Sequence, residues 1–357
     1  MRKLCRVQDV PRRGLTLMEI LVGTAVCLFA VWLFVAYVVH HSRPKGRRLE
    51  CQSNLKNLAL AVSGYASANS GRIPDLVTLH GVPGTSGQST YSWVAELLPH
   101  LDNSALYRWI NSASAPPFST SVPVPFIKVF ICPNDQSRSS QPGGLSYVAN
   151  AGYMRESDWG NNAGHHGLRI DWDRSGTTDE ADLIIARSTG LFWRRDSHPA
   201  IGGDNGDPIT LEFVAESDGQ SQTMMLSENL QANTWLSTNT GEIAFGIFVT
   251  VGDSDQPDAI KFPATHGASG SDRLAFDVSR FNLMNAKKTR DASPGSLLDT
   301  RLGEAPRPSS PHQGIVNVAF ADGRVEEVNI RMAPRIWAAM MTPNGQRNGQ
   351  PAALDKP

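Results

Sequence analysis

The chain has 357 residues, enough to bury a core in one large domain or two. Its 33 Lys and Arg against 34 Asp and Glu leave a net charge of −1, which excludes a strong pull toward nucleic acid, and no nucleic-acid partner is expected. Charged residues are sparse at 19 %, while 31 Gly and 23 Pro suit short strands joined by many turns better than a helical bundle.

The chain opens on a basic leader, residues 1–14, in which Arg2, Lys3, Arg6, Arg12 and Arg13 face a single Asp9. From Leu15 to Val39 the only ionisable side chains are Glu19 and Tyr37. As a helix this stretch spans roughly 37 Å, and a bilayer core is ~30 Å thick, so residues 15–39 are predicted to cross a membrane. The run is too long for the apolar part of a cleaved secretory signal. His40, His41 and Arg43 follow where a small-residue cleavage site would have to stand. Arg43, Lys45, Arg47 and Arg48 nearly match the leader's basic count, so charge alone does not orient the span.

At the junction stands Gly14-Leu15-Thr16-Leu17-Met18-Glu19-Ile20. This segment resembles the type IV prepilin and pseudopilin leader: Gly, a large apolar residue, Thr, Leu, any residue, Glu, then an apolar helix. The resemblance implies a prepilin peptidase as partner, cutting after Gly14 and methylating the new amine of Leu15. It also implies a single-pass protein of the cytoplasmic membrane, with its N-terminus inside and its C-terminal domain in the periplasm or at the cell surface. The family usually has Phe after the cut, and Leu15 departs from it. A carboxylate in an apolar helix costs ~2.5–3.5 kcal/mol on insertion, so Glu19 should have a partner. In pilins that partner is the N-terminal amine of a neighbouring subunit; the alternative is a carboxylate near enough the membrane surface to stay wet.

Leu55, Leu58, Val62 and Tyr65 recur at helical spacing, predicting an amphipathic helix over about residues 48–68 within a connector of residues 40–70. Pro44 and Gly46 predict a break near residues 43–47. Ser92 is placed to cap a short helix ending at Pro99, and Asp102 or Asn103 another through Ile110. Phe126–Ile131 reads as a buried strand. Ile209, Leu211, Phe213 and Ala215 alternate with polar residues and read as a strand with one wet face. Val316, Val318 and Phe320, then Asp322-Gly323, then Val325, Val328 and Ile330 read as a hairpin with a two-residue turn. Matching its apolar faces calls for a bulge near Glu326–Glu327. The expected fold is α+β: a membrane-spanning helix, an amphipathic helix packed on a largely antiparallel β domain with long loops over residues 71–330, and a tail over residues 331–357.

The stretch from His312 to Asp322-Gly323 resembles the H-x9-D-G tail of a large bacterial family that joins a prepilin-type leader to a domain of unknown function. Cys51-Gln52-Ser53-Asn54, Ser92-Trp93 through Leu106-Tyr107, Phe130-Ile131-Cys132-Pro133, Ser146-Tyr147 and Asp218-Gly219 through Ser227-Glu228-Asn229 fit the same pattern. The resemblance brings no activity with it. His312, Asp322 and Gly323 are its C-terminal landmarks. Standing just before the first hairpin strand, His312 is placed to bond a backbone group or carboxylate and fix the start of the hairpin.

Of four cysteines, Cys5 lies in the leader and Cys27 in the apolar span. That leaves Cys51 and Cys132 outside, either joined as a disulfide or packed as two small hydrophobes. Asp171, Asp173, Ser175, Thr177, Asp179 and Asp182, with Gly176 at the sixth position, fit the spacing of a twelve-residue calcium loop. Asp replaces Glu at the twelfth position, and the same stretch also reads as a solvated acidic turn. His165-His166 lacks a carboxylate at helical spacing and reads as a surface loop. No phosphate-binding loop, nucleophile elbow or dinucleotide fingerprint occurs, and no enzymatic activity is expected. The sequence points to a pseudopilin-like structural protein that meets like subunits and lipid through its N-terminal helix. The rival is an envelope-tethered binding module, calcium-dependent or not, that uses the leader for delivery alone.

Overall fold

In a computed structural model of the chain, residues 16–81, 88–112, 123–154, 159, 177, 179–194, 208–251, 274–276, 308–312, 314–330, 332 and 334–345 are described. The chain divides into two compact units, Met1–Arg47 and Arg48–Pro357.

Helix α1, Leu17–Ala68, reaches from one unit into the other. In the first unit, Leu17–Val38 has a mean hydropathy of 2.4, is long enough to cross a bilayer, and leaves its apolar side chains exposed. In the second unit the helix changes character. Cys51, Leu55, Leu58, Ala59 and Val62 are fully buried, while Lys56 and Leu60 on the opposite face are exposed, as the amphipathic spacing requires. The break expected at residues 43–47 is not found, because helical structure continues through Pro44 and Gly46. A proline forfeits one hydrogen bond to the preceding turn, and the turns on either side of it keep theirs.

After a small antiparallel ribbon, β1 (Val77–Gly81) and β2 (Gln88–Ser92), come two short helices, α2 (Trp93–Glu96) and α3 (Ser104–Ile110). Ser92 and Asn103 occupy the N-cap positions, but their side chains bond elsewhere. Ser92 Oγ donates to the Trp235 carbonyl, and Asn103 Nδ2 donates to the Leu101 carbonyl at 2.6 Å. The strand expected at Phe126–Ile131 is instead a 3-10 turn at Lys128–Phe130 leading into extended Ile131. Buried Phe130 and Ile131 supply its apolarity without any pairing edge.

The centre of the domain is a six-stranded sheet in the order β6-β5-β3-β4-β7-β8. Its strands are β3 (Tyr147–Met154), β4 (Met224–Glu228), β5 (Ala244–Val251), β6 (Leu274–Phe276), β7 (Ile315–Phe320) and β8 (Val325–Asn329). Every neighbouring pair is antiparallel except β3 with β5. Four further helices are α4 (Glu180–Arg187), α5 (Leu211–Glu216), α6 (Thr240–Ile243) and α7 (Pro334–Met341). The α+β architecture read from the sequence is therefore the one observed.

Helix α5 replaces the strand expected over Ile209–Glu216. The Thr210 hydroxyl accepts from Phe213 N at 3.1 Å and starts a helix where alternation alone could not tell the two structures apart. The β7–β8 hairpin exists, but its register needs no bulge near Glu326–Glu327. Val316 faces Val328 and Ala319 faces Val325 in unbroken pairing. The extra residue lies in the loop: Ala321, Asp322 and Gly323 connect the strands, and Gly323 takes φ +81°, which favours a residue without Cβ. β8 is an edge strand, and exposed Glu326 and Glu327 deter further pairing on that edge.

β3 and β5 lose regular register between Asn150 and Tyr153, where Gly152 has φ +73°. Buried Asn150 bridges the irregularity, donating to the carbonyls of Met224 and Met341, each at 2.7 Å, and accepting from Gly152 N at 3.0 Å. Gly190 packs against this bend. A Cβ there would lie 2.4 Å from Gly152 N, and backbone on both sides leaves nothing flexible to move. Gly190→Ala should therefore cost about 1–3 kcal/mol or more by overpacking, read as a lower urea midpoint. A midpoint equal to that of the parent would show that the two backbones can separate freely.

Candidate functional site

Glu228 closes β4, between β3 and β7, and is 1 % exposed. Bare, such a carboxylate would cost several kcal/mol, so its partners define the site. Oε2 accepts from Ser310 Oγ at 2.7 Å and from Asn317 N at 3.1 Å. Oε1 accepts from Asn317 Nδ2 at 3.0 Å and lies 3.2 Å from His312 Nε2. Asn317 is placed by β7, and Ser310 and His312 by the turn before it. Ser310 Oγ also accepts from His312 N at 3.1 Å, so one hydroxyl positions both the carboxylate and the imidazole backbone.

His312 also meets the segment that follows the 3-10 turn. Nδ1 is 3.1 Å from Asn134 Nδ2, and Nε2 is 3.6 Å from Cys132 Sγ. A neutral imidazole protonated on Nε2 meets both polar contacts, accepting from the Asn134 amide and donating to Glu228. Cys132 is bonded to Cys51 of α1, with a Cα–Cα distance of 4.9 Å. Around that bond, Asn54 Nδ2 donates to the Ile131 carbonyl at 3.0 Å and Tyr147 Oη donates to the Cys51 carbonyl at 3.2 Å. Burial pushes the Tyr147 phenol well above its ordinary range, and nearby Glu228 adds to the shift. Gln52 Nε2 reaches Asn317 Oδ1 at 3.2 Å and Glu327 Oε1 at 2.7 Å, tying α1 to the hairpin directly. Burial likewise raises the Asp135 carboxyl, against the opposing pull of bonds from Ser137 and Ser146.

The structure thus brings Cys51, Cys132 and His312 together around Glu228, a residue to which the sequence motifs assign no role. Its only sequence signal was its place in Ser227-Glu228-Asn229. Asp322 and Gly323 stand apart from the cluster and build the hairpin loop, where Asp322 Oδ1 accepts from Arg324 N at 2.9 Å. In the candidate calcium loop, Asp171, Asp173 and Ser175 lie outside the described residues, as do His165 and His166. Asp179 and Asp182 flank the start of α4, and Asp179 N donates to Asp182 Oδ2 at 3.0 Å, the pattern of a helix cap. Thr177 is exposed.

Gly14 and Leu15 also lie outside the described residues, while Glu19 has a partner within its own chain. Its Oε2 accepts from Thr16 N at 2.8 Å and from Thr16 Oγ1 at 2.9 Å, and Glu19 N donates back to Thr16 Oγ1 at 3.3 Å. This is a capping box at the start of the apolar helix, and its signal in the sequence is the Thr-x-x-Glu spacing inside the leader motif.

Residues 40–332 match the sequence model of a family described as "Protein of unknown function (DUF1559)". No curated protein and no solved structure matches the chain.

Removing His312 leaves the buried Glu228 short of one donor. His312→Ala should cost about 3–5 kcal/mol, and adding Glu228→Ala should cost less than the sum of the two single losses. A double-mutant cycle by urea denaturation measures this, and strict additivity would mean that the pair is uncoupled. Cys51→Ser with Cys132→Ser should lower stability by up to about 4–5 kcal/mol, the chain-entropy value for a sequence separation of 81.

Proposed function

Because the chain belongs to the DUF1559 family, whose description assigns no activity, we propose from its own residues that it is a membrane-anchored, pseudopilin-like structural protein of the cell envelope. The observation that carries this reading is the start of α1. A bilayer-length apolar helix with exposed side chains begins at a Thr16–Glu19 capping box, directly after the Gly14-Leu15 junction. In this reading a prepilin peptidase cuts after Gly14 and methylates Leu15. Residues 1–14 face the cytoplasm, and the Arg48–Pro357 unit lies outside it. The helix meets lipid and the helices of related subunits. The external unit is structural and performs no catalysis.

The capping box sharpens the role of Glu19. A cap needs hydrogen-bond acceptors, which Gln supplies as well as Glu. Pairing with the amine of another subunit needs the charge. The two demands come apart in two substitutions.

Mass spectrometry of protein from the membrane fraction should show a mature chain beginning at Leu15 with one added methyl group. A soluble protein, or a mature start beyond residue 39, overturns the proposal. Glu19→Gln should keep membrane insertion and the helix start yet lower crosslinked oligomer as much as Glu19→Ala does. Parental crosslinking in Glu19→Gln would assign Glu19 to capping alone and leave the leader a delivery signal for a tethered module.

A further inference from the structure

The Cys51–Cys132 disulfide belongs to the hydrophobic core, yet a carboxylate and an imidazole stand beside it. Cys51, Cys132, Glu228 and His312 are all buried, and one ligand-type atom from each lies within 4.8 Å of the others. We propose that, once the Cys51–Cys132 bond is reduced, these four side chains bind one zinc ion, so that the cluster exchanges a covalent brace for a metal brace.

The distances support this. Zinc holds thiolate sulfur at ~2.3 Å, imidazole nitrogen at ~2.0–2.1 Å and carboxylate oxygen at ~2.0–2.2 Å, which sets neighbouring tetrahedral donors about 3.3–3.8 Å apart. His312 Nε2 already lies 3.6 Å from Cys132 Sγ and 3.2 Å from Glu228 Oε1. The edge between the two sulfurs must open by rotation of the cysteine side chains, and the three remaining edges each start within 4.8 Å.

The surrounding groups suit a metal as well. Ser310 Oγ and Asn317 N hold the far oxygen of Glu228, and Asn317 Nδ2 holds the near one. These three donors offset the negative charge by which two thiolates and a carboxylate exceed a divalent ion. The Asn134 amide stands at His312 Nδ1 and, turned over, would accept the proton that a zinc-bound imidazole carries there. Two thiolates with one imidazole favour zinc over calcium or magnesium, which take oxygen ligands.

The chemistry balances with a dithiol as reductant. It gives two electrons and two protons to the disulfide, becoming a disulfide itself and leaving two thiols. Zinc then displaces both thiol protons.

Full-length chain in detergent, reduced and then freed of reductant without air, should retain one zinc ion per molecule by elemental analysis, and oxidised chain none. Cobalt(II) in place of zinc should give a thiolate charge-transfer band together with the visible bands of tetrahedral cobalt. His312→Asn should abolish both signals. Asn134→Ala, which removes the partner of His312 Nδ1 and touches no proposed ligand atom, should weaken zinc binding about tenfold while keeping the spectrum. Zinc should also raise the melting temperature of the reduced parent. Zinc uptake no greater than in Cys51→Ser/Cys132→Ser, a cobalt spectrum without the thiolate band, or reduced chain that melts alike with and without zinc would each overturn the proposal.

Discussion

The Glu228 carboxylate is out of water at the end of a central strand, and much of the domain is arranged by what that charge requires. Its donors come from β7 and from the turn before it, so burying Glu228 fixes where the hairpin docks on β4. Through His312 the same charge is linked to Asn134 and Cys132, and through Cys132 to α1. A polar network of this kind is worth having only when complete, since a buried group left without its partner costs more than an apolar core would. Hairpin, sheet and helix are thus held to one mutual register by a condition that tolerates no partial solution.

The disulfide and the Glu228–His312 hydrogen bond act on different states of the chain. The covalent bond limits the unfolded ensemble and is indifferent to small errors in packing. The Glu228–His312 contact exists only in the folded state and is lost with a shift of an ångström. Together they brace α1 against the sheet from one point, while Gln52, one residue after Cys51, ties the same turn of helix to Asn317 and Glu327. The long helix is thereby secured at the start of its buried segment.

Elements governed by long apolar periodicity were legible in the sequence. The spacing of Leu55, Leu58 and Val62 gave the buried face of α1, and the alternation around Asp322-Gly323 gave the hairpin. Short elements were not. Six residues around Leu211 satisfy both periods, and the choice fell to the Thr210 hydroxyl, a local bond that alternation does not register. Apolar Phe126–Ile131 resembled a strand because burial alone is blind to whether a backbone finds a pairing edge. The hairpin register was missed by one residue, since a three-residue loop with a left-handed Gly323 moves the pairing without leaving a mark in the strands. The position of His312 before β7 suggests a bond to a backbone group or a carboxylate, but that the partner is Glu228 depends on β4 and β7 being neighbours. That adjacency comes from a chain connection of over eighty residues, and no local pattern encodes it.

Glu19 shows how one residue can answer to two physical demands. A helix that starts within an apolar stretch has orphan N–H groups that lipid cannot satisfy, so a cap is needed there whatever else the residue does. Thr16 and Glu19 meet that need inside one chain. A carboxylate is nevertheless a costly choice for the task, because Gln would cap as well and carry no charge into the apolar phase. The charge accordingly calls for a second explanation beyond the cap. In the envelope role proposed above, a cationic partner supplied from outside the helix would offset that cost.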